Sequence, residues 1–116
     1  MIVRSPLDVQ ADPQGGWQLI FWVGQAFDHA TPFRTMLSDI AGALGQTAKR
    51  DLQLPPYEAG EDFIDGTLKF GKLQLRIYYE HSLSYLALMS DYERALRDAA
   101  KRVEPYVVVT TQSADR

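Results

Sequence analysis

Three adjacent residues, Glu80, His81 and Ser82, carry an acid, a base and a hydroxyl group. Nucleophilic catalysis uses those groups together, but side chains that follow one another on a strand or turn point in different directions. The three residues therefore cannot form a catalytic triad with one another. His81 can still serve as a general base with partners from elsewhere in the fold, because a histidine titrates near neutral pH. A solvent-exposed turn histidine is the favoured interpretation.

The second histidine, His29, follows Asp28 just ahead of a predicted helix. An aspartate can orient an imidazole for proton transfer. A small enzyme or ligand-binding domain that uses His81 or His29 is therefore one alternative function. A loop that merely connects a strand to the helix explains the pair as well, and we predict no catalytic residue.

Phosphate and metal sites find little support in the sequence. The segment from Gly66 to Lys72 resembles a phosphate-binding loop, but it lacks the closing Ser or Thr and alternates as a strand, whereas such a loop leads into a helix. Two histidines without cysteine make a transition-metal site unfavourable. Glu61, Asp62 and Asp65 lack the spacing of a calcium loop and are expected to be solvated strand-edge acids. We predict no metal and no cofactor.

Charge and composition limit the partners further. The 116 residues include 12 Lys and Arg against 15 Asp and Glu, so no excess of positive charge is available to bind nucleic acid or an anionic membrane. The longest apolar run, Leu19 to Val23, is too short to span a bilayer. With no cysteine and no apolar leader at its start, the chain is expected to be cytoplasmic.

The elements that must position these residues are predicted in the order β-β-α-β-β-β-α-β. This order is typical of an α+β fold in which two helices pack on one face of a mainly antiparallel sheet. Residues 1–111 are expected to form a single domain, followed by a polar tail over 112–116.

Turn and cap residues indicate where the outer elements begin and end. A first strand is predicted over residues 2–9, and the turn signal at 12–16 makes it one arm of a hairpin. The first helix is predicted to start at Thr31 and Pro32. The second is predicted to start from a capping box, and a last strand follows its end. The box is formed by Ser90 and Glu93, and the last strand covers 106–111.

The firmest structural inference is a three-strand meander in the middle of the chain. A two-residue turn at Gly71 and Lys72 places apolar residues opposite one another at alternate positions. Its pairs are Phe70 with Leu73, Leu68 with Leu75, Gly66 with Ile77 and Ile64 with Tyr79. A second turn is predicted at His81 and Ser82, with a longer loop as the alternative. Its pairs are Ile77 with Leu86, Leu75 with Leu88, Tyr78 with Tyr85 and Arg76 with Ala87.

The opposite face of this meander carries the most informative side chains. A solvated face is rarely built from Phe, Tyr, Leu and Met, whereas binding surfaces are enriched in Tyr, Arg, Met and Phe. Three explanations stay open: a terminal segment covers the face, the face associates with itself in a homodimer, or it binds a different protein. The residues predicted to bind a partner are Arg76, Tyr78, Glu80, His81, Leu83, Tyr85 and Met89.

In size, acidity and aromatic sheet face, the chain is similar to small cytoplasmic proteins that bind and block another protein, such as bacterial toxin immunity proteins. The similarity is one of type and not of motif, so no residue roles follow from it. We therefore expect a non-enzymatic, cytoplasmic protein-binding protein, with an immunity or inhibitor protein as its most specific form. Two alternative functions stay open: a homo-oligomeric structural protein, and the small enzyme or ligand-binding domain described above.

Overall fold

The computed structural model describes residues 1–23 and 32–110. Within them, a six-stranded sheet carries helices on one face, and a separate two-stranded sheet joins the two ends of the chain. The elements are β1 (Ile2–Val3), β2 (Asp8–Ala11), β3 (Trp17–Trp22), α1 (Phe33–Ala43), α2 (Ala48–Asp51), β4 (Leu52–Gln53), β5 (Phe63–Phe70), β6 (Leu73–Glu80), β7 (Tyr85–Ser90), α3 (Glu93–Val103) and β8 (Val108–Val109).

The large sheet has the strand order β2-β3-β7-β6-β5-β4, and its neighbouring strands run antiparallel. The predicted α+β class, with helices on one face of this sheet, is confirmed. The predicted element order omits α2 and β4, because elements of four and two residues are too short to show a hydrophobic period. No helix within the described residues has the length and apolar character needed to cross a bilayer.

The hydrophobic core lies between α1, α3 and one face of the large sheet. Leu37 and Ile40 of α1 and Leu96 of α3 are fully buried, as the helical spacing of the apolar residues requires. Each such side chain contributes about 1.5–3 kcal/mol by leaving water. The sheet side of the core is formed by Leu19, Phe21, Ile64, Leu68, Leu75, Ile77, Tyr79, Leu86 and Leu88.

The first hairpin of the meander is confirmed pair by pair, from Phe70 with Leu73 to Ile64 with Tyr79. Gly71 has a φ of 60°, the left-handed conformation that a tight hairpin turn needs. Gly66 lies within β5, where a side chain would collide with the backbone oxygen of Gln53, so this segment is a strand and not a phosphate loop.

The second hairpin of the meander has a different register from the predicted one. A 3₁₀ turn over His81–Leu83, followed by Ser84 with a φ of 52°, replaces the two-residue turn. The predicted pairs are therefore displaced by two residues, and because side chains alternate with a period of two, the faces are retained. The observed pairs are Arg76 with Met89, Ile77 with Leu88, Tyr78 with Ala87, Tyr79 with Leu86 and Glu80 with Tyr85.

The predicted ends of the chain need correction. The strand predicted over 2–9 is two strands, β1 and β2, with Pro6 between them. The predicted last strand shortens to β8, which pairs in parallel with β1. Thr31 and residues 111–116 lie outside the described residues, and α1 begins at Phe33, one residue after Pro32.

The predicted capping box before α3 is wrong. Ser90 is the last residue of β7, paired with Trp17, so it lies too far from the helix to cap it. Its hydroxyl oxygen instead accepts a hydrogen bond of 3.1 Å from the backbone N–H of Tyr92. The helix begins at Glu93, which forms an ion pair with Arg97 one turn later at 2.6 Å.

Candidate protein-binding face

The face of the large sheet opposite the helices, called the outer face below, consists of cross-strand rows on β3, β7, β6 and β5. Because strand pairing is antiparallel and in register, each row contains one residue from each strand. The rows are Trp22, Tyr85, Glu80 and Phe63; then Ile20, Ala87, Tyr78 and Asp65; then Gln18, Met89, Arg76 and Thr67.

Four rings from the first two of these cross-strand rows form a continuous series, which is called the aromatic row below. Its members are Trp22, Tyr85, Tyr78 and Phe63. The ring centres of Trp22 and Tyr85 are 4.9 Å apart with an edge-to-face geometry. Tyr78 lies 6.3 Å from Tyr85 and 6.3 Å from Phe63, which is 59% exposed. The guanidinium of Arg4 lies 5.3 Å from the Trp22 ring. The row therefore offers apolar surface across four strands of the sheet.

Hydrogen bonds hold the two tyrosines of the aromatic row in place. Tyr78 donates to Glu80 Oε1 at 2.5 Å, and Ser82 Oγ donates to Glu80 Oε2 at 3.0 Å. Tyr85 donates to Gln18 Oε1 at 2.5 Å. Rings held in this way lose little conformational entropy when a partner binds.

Carboxylates surround the same two phenols. Burial, followed by Glu80 and then Asp65, raises the pKa of Tyr78. Burial, followed by the charge of Asp12, raises the pKa of Tyr85. Both phenols therefore stay protonated near neutral pH, and their rings lie in a negative electrostatic field.

A groove of about 760 Å³ lies beside the aromatic row, between the turn at 12–16 and strands β5 and β6. The turn approaches the sheet closely at Gly16, where an added Cβ would lie 2.9 Å from the backbone oxygen of Ser90. Glycine at this position, with a φ of 77°, thus allows the turn to form one wall of the groove. The outer-face and turn side chains among the residues that line the groove are those of Asp12, Gln14, Asp65, Arg76, Tyr78, Tyr85 and Met89.

A second polar cluster lies at a cleft of about 280 Å³ on the helix side of the sheet. Arg34 binds Glu61 with two hydrogen bonds of 2.9 Å and also donates to the carbonyl of Pro55. Tyr79 donates to Glu61 Oε2 at 2.6 Å. This clamp joins α1, β6 and the connector before β5.

The polar groups of this clamp interact mainly with one another. Hydrogen bonding from Arg34 outweighs burial and lowers the pKa of Glu61 to about 2. Burial and the bond to Glu61 raise the pKa of Tyr79. At neutral pH Glu61 is thus an ionised acceptor and Tyr79 a protonated donor, which suits a structural clamp better than acid–base catalysis.

Two expectations about polar residues near this cleft are wrong. His81 is not a solvent-exposed turn histidine: it is half-buried, with its ring edge-on to Phe33 at 5.0 Å and to Tyr79 at 5.5 Å. Glu61 and Asp62 are not simply solvated acids, because Glu61 is clamped by Arg34 and Asp62 accepts a hydrogen bond from the backbone N–H of Ser82 and shares the Ser82 hydroxyl with Glu80. Asp65 is exposed as expected, and His29 lies outside the described residues.

The structure gathers most of the predicted partner-binding residues on one surface and separates two from it. His81 turns toward the helix side, and Leu83 lies in the 3₁₀ turn instead of on a strand, where it is 44% exposed. Trp22 and Arg4 join the surface although sequence analysis did not select them. The alternation in 17–22 places Trp22 on one face, but no local signal shows that β3 pairs with β7. The predicted residues that do share the outer face are Arg76, Tyr78, Glu80, Tyr85 and Met89.

Within 1–23 and 32–110, no group of three or more His, Asp or Glu side chains is arranged to hold a metal ion. Comparison of the chain with protein-family profiles, with curated proteins and with solved structures found no match.

Proposed function

We propose that this chain is a binding protein that engages a different protein through its outer face. The observation that carries the proposal is the aromatic row, in which four rings contact one another on the face opposite the core. Aromatic residues and arginine dominate the binding energy of protein interfaces. Among the described residues, the first and last strands, β1 and β8, pair with each other, and Phe63 on the outer face remains exposed.

The charge of the outer face favours a basic partner over a second copy of the chain. A two-fold dimer would place this acid-rich surface against itself and bring like charges together. A partner with a basic surface would instead find complementary charge around the rings. The acidic residues on or beside the face are Asp8, Asp12, Asp62, Asp65, Glu80 and Asp91, and the basic ones are Arg4, Lys69 and Arg76.

The most specific form of this proposal is inhibition. A partner enzyme bound through the outer face would lose activity in proportion to the amount of complex formed. Inhibition and binding should then show the same dependence on Tyr78 and Tyr85, which an assay of the partner's activity against added chain measures directly.

A photo-crosslinking experiment tests the proposal. The photoreactive amino acid p-benzoylphenylalanine replaces Phe63 in the full chain, and the control chain carries it at Tyr106, which is equally exposed but belongs to the turn after α3 and not to the large sheet. A protein crosslinked from position 63 and not from position 106 is then purified and its dissociation constant measured. The double variant Tyr78→Ala, Tyr85→Ala should raise that constant by about 100-fold, because it removes two central rings.

Three results would decide against the proposal. One is unchanged affinity of the folded double variant for the crosslinked protein. Another is efficient crosslinking between two copies of the chain, with light scattering showing a dimer that the double variant converts to a monomer. That result would assign the outer face to the homo-oligomer alternative. The third is the absence of any crosslink specific to position 63 in extracts of the source cell.

A further inference from the structure

We infer that the groove beside the aromatic row binds an arginine side chain of the partner, an inference that rests on the proposed function. The groove combines the features that a guanidinium requires. Tyr78 and Tyr85 line it together with Asp65, whose charge acts on Tyr78, and Asp12, whose charge acts on Tyr85. A guanidinium can stack on an aromatic face while its N–H groups donate to carboxylates in the same plane.

The carboxylates of the groove are free to receive such a ligand. Asp65 is exposed and, among the described residues, forms no hydrogen bond or ion pair. Among the same residues, the carboxylate of Asp12 accepts one hydrogen bond, from the backbone N–H of Gln14 at 2.9 Å, which leaves further acceptor positions on that carboxylate.

The arginine already present in the groove does not neutralise these two acids. Arg76 is directed to Asp91, with 3.6 Å between Nη2 and Oδ1, so this pair is balanced within itself. Asp12 and Asp65 then leave two negative charges for a ligand cation. These two charges contribute to the negative field at the two phenols, Asp65 at Tyr78 and Asp12 at Tyr85.

The chain itself shows that its aromatic surfaces accept guanidinium groups. Arg4 lies over the Trp22 ring of the aromatic row at 5.3 Å. On other surfaces, Arg102 lies over Phe70 at 5.5 Å and Arg34 over Tyr57 at 5.6 Å. A planar guanidinium stacks on a ring in a way that the compact ammonium of lysine does not, so arginine is the cation expected in the groove.

Titration of the ¹⁵N-labelled full chain with N-acetyl-arginine amide tests this inference by NMR. We expect saturable shifts centred on Tyr78, Tyr85 and Asp65, weaker binding of N-acetyl-lysine amide, and none of the uncharged citrulline analogue. Asp65→Asn should weaken arginine binding about two- to fivefold, as expected for one partly exposed charge pair. Asp39→Asn, at an exposed position of α1, is the matched control and should leave the affinity unchanged.

Any one of three results would overturn the arginine site. They are equal binding of arginine and citrulline, shifts centred away from the groove, and unchanged affinity in Asp65→Asn. The crosslinked partner separates this failure from failure of the proposed function. A partner that needs Tyr78 and Tyr85 but binds equally well to the double variant Asp12→Asn, Asp65→Asn would refute the arginine site and leave the proposed function standing. A partner that needs neither tyrosine would refute the proposed function, whatever the groove binds.

Discussion

Tyr78 and Tyr79 are neighbours in the chain, but they lie on opposite faces of the sheet. The Tyr79 ring is completely buried, stacks on Phe33 at 4.8 Å, and donates its hydroxyl to the clamped carboxylate of Glu61. The Tyr78 ring is half-buried on the outer face and donates to Glu80, which solvent still reaches.

The difference between these residues shows that one residue type supports two roles according to its surroundings. A ring enclosed by helix and sheet contributes to folding, because its removal leaves a cavity. A ring in an open row is already in contact with solvent, so its apolar surface remains available for a partner. The predictions below test this contrast, beginning with the largest expected effect.

Replacement of each tyrosine by alanine should separate the two faces most clearly. Tyr79→Ala should lower the free energy of unfolding by about 3–5 kcal/mol, as expected for a large buried ring. Tyr78→Ala should cost about 1 kcal/mol or less. Urea denaturation followed by circular dichroism measures both values. Equal losses would show that the outer face is part of the core.

The Arg34–Glu61 clamp should contribute more to the free energy of unfolding than a surface ion pair of the same chemistry. Arg34→Ala removes the cation that pairs with the Glu61 carboxylate, whose side chain is only 8% exposed. We expect the free energy of unfolding to fall by about 1–3 kcal/mol, an effect moderated by the 29% exposure of the Arg34 side chain. Arg97→Ala removes the exposed pair with Glu93 and should cost about 0.5 kcal/mol. Comparable losses in the two variants would refute a special role for the clamp.

The clamp should also make the stability of the fold depend on pH. The pKa of Glu61 falls from 4.5 to about 2 on folding, so its contribution is fully present above pH 4.5 and is lost as the pH falls toward 2. Glu61→Gln should therefore be less stable than the parent chain at pH 7, with the difference narrowing between pH 4.5 and pH 2. Thermal unfolding over this pH range provides the test, and a constant difference would contradict it.

Removal of single hydroxyl groups should give the smallest effect. Tyr79→Phe deprives the buried side of Glu61 of a donor and should cost about 1–2 kcal/mol. Tyr78→Phe leaves Glu80 accessible to water and should cost about 0.5 kcal/mol or less. The same denaturation measurements apply, and a larger loss for Tyr78→Phe would reverse the assignment of the two faces.

Local signals account for what could be predicted of the fold. The first hairpin of the meander was predictable because Gly71 defines a tight turn and apolar residues alternate on both sides of it. The second hairpin was not, because no residue in 81–84 specifies a two-residue turn or excludes a 3₁₀ turn. The faces of the strands were nevertheless predicted correctly, since a displacement of two residues preserves them.

The candidate site was predictable only where it lies within the meander. Tyr78, Tyr85, Arg76 and Met89 could be assigned to one face from their alternation alone. Trp22 completes the row from a strand that is distant in the chain, and Arg34 meets Glu61 across a connector. These contacts depend on which elements pack together, and neither has a counterpart in the local sequence pattern.

The amino-acid sequence by itself determined the α+β class, the apolar face of each element and the presence of an aromatic surface opposite the core. It did so because the pleat of a strand and the turn of a helix assign each side chain to a face within a few residues. Only the tertiary structure decided that β3 lies beside β7, that Trp22 extends the aromatic row, and that His81 turns toward the helices. Strand order and loop path follow from the packing of the whole chain, to which distant residues contribute as much as neighbouring ones.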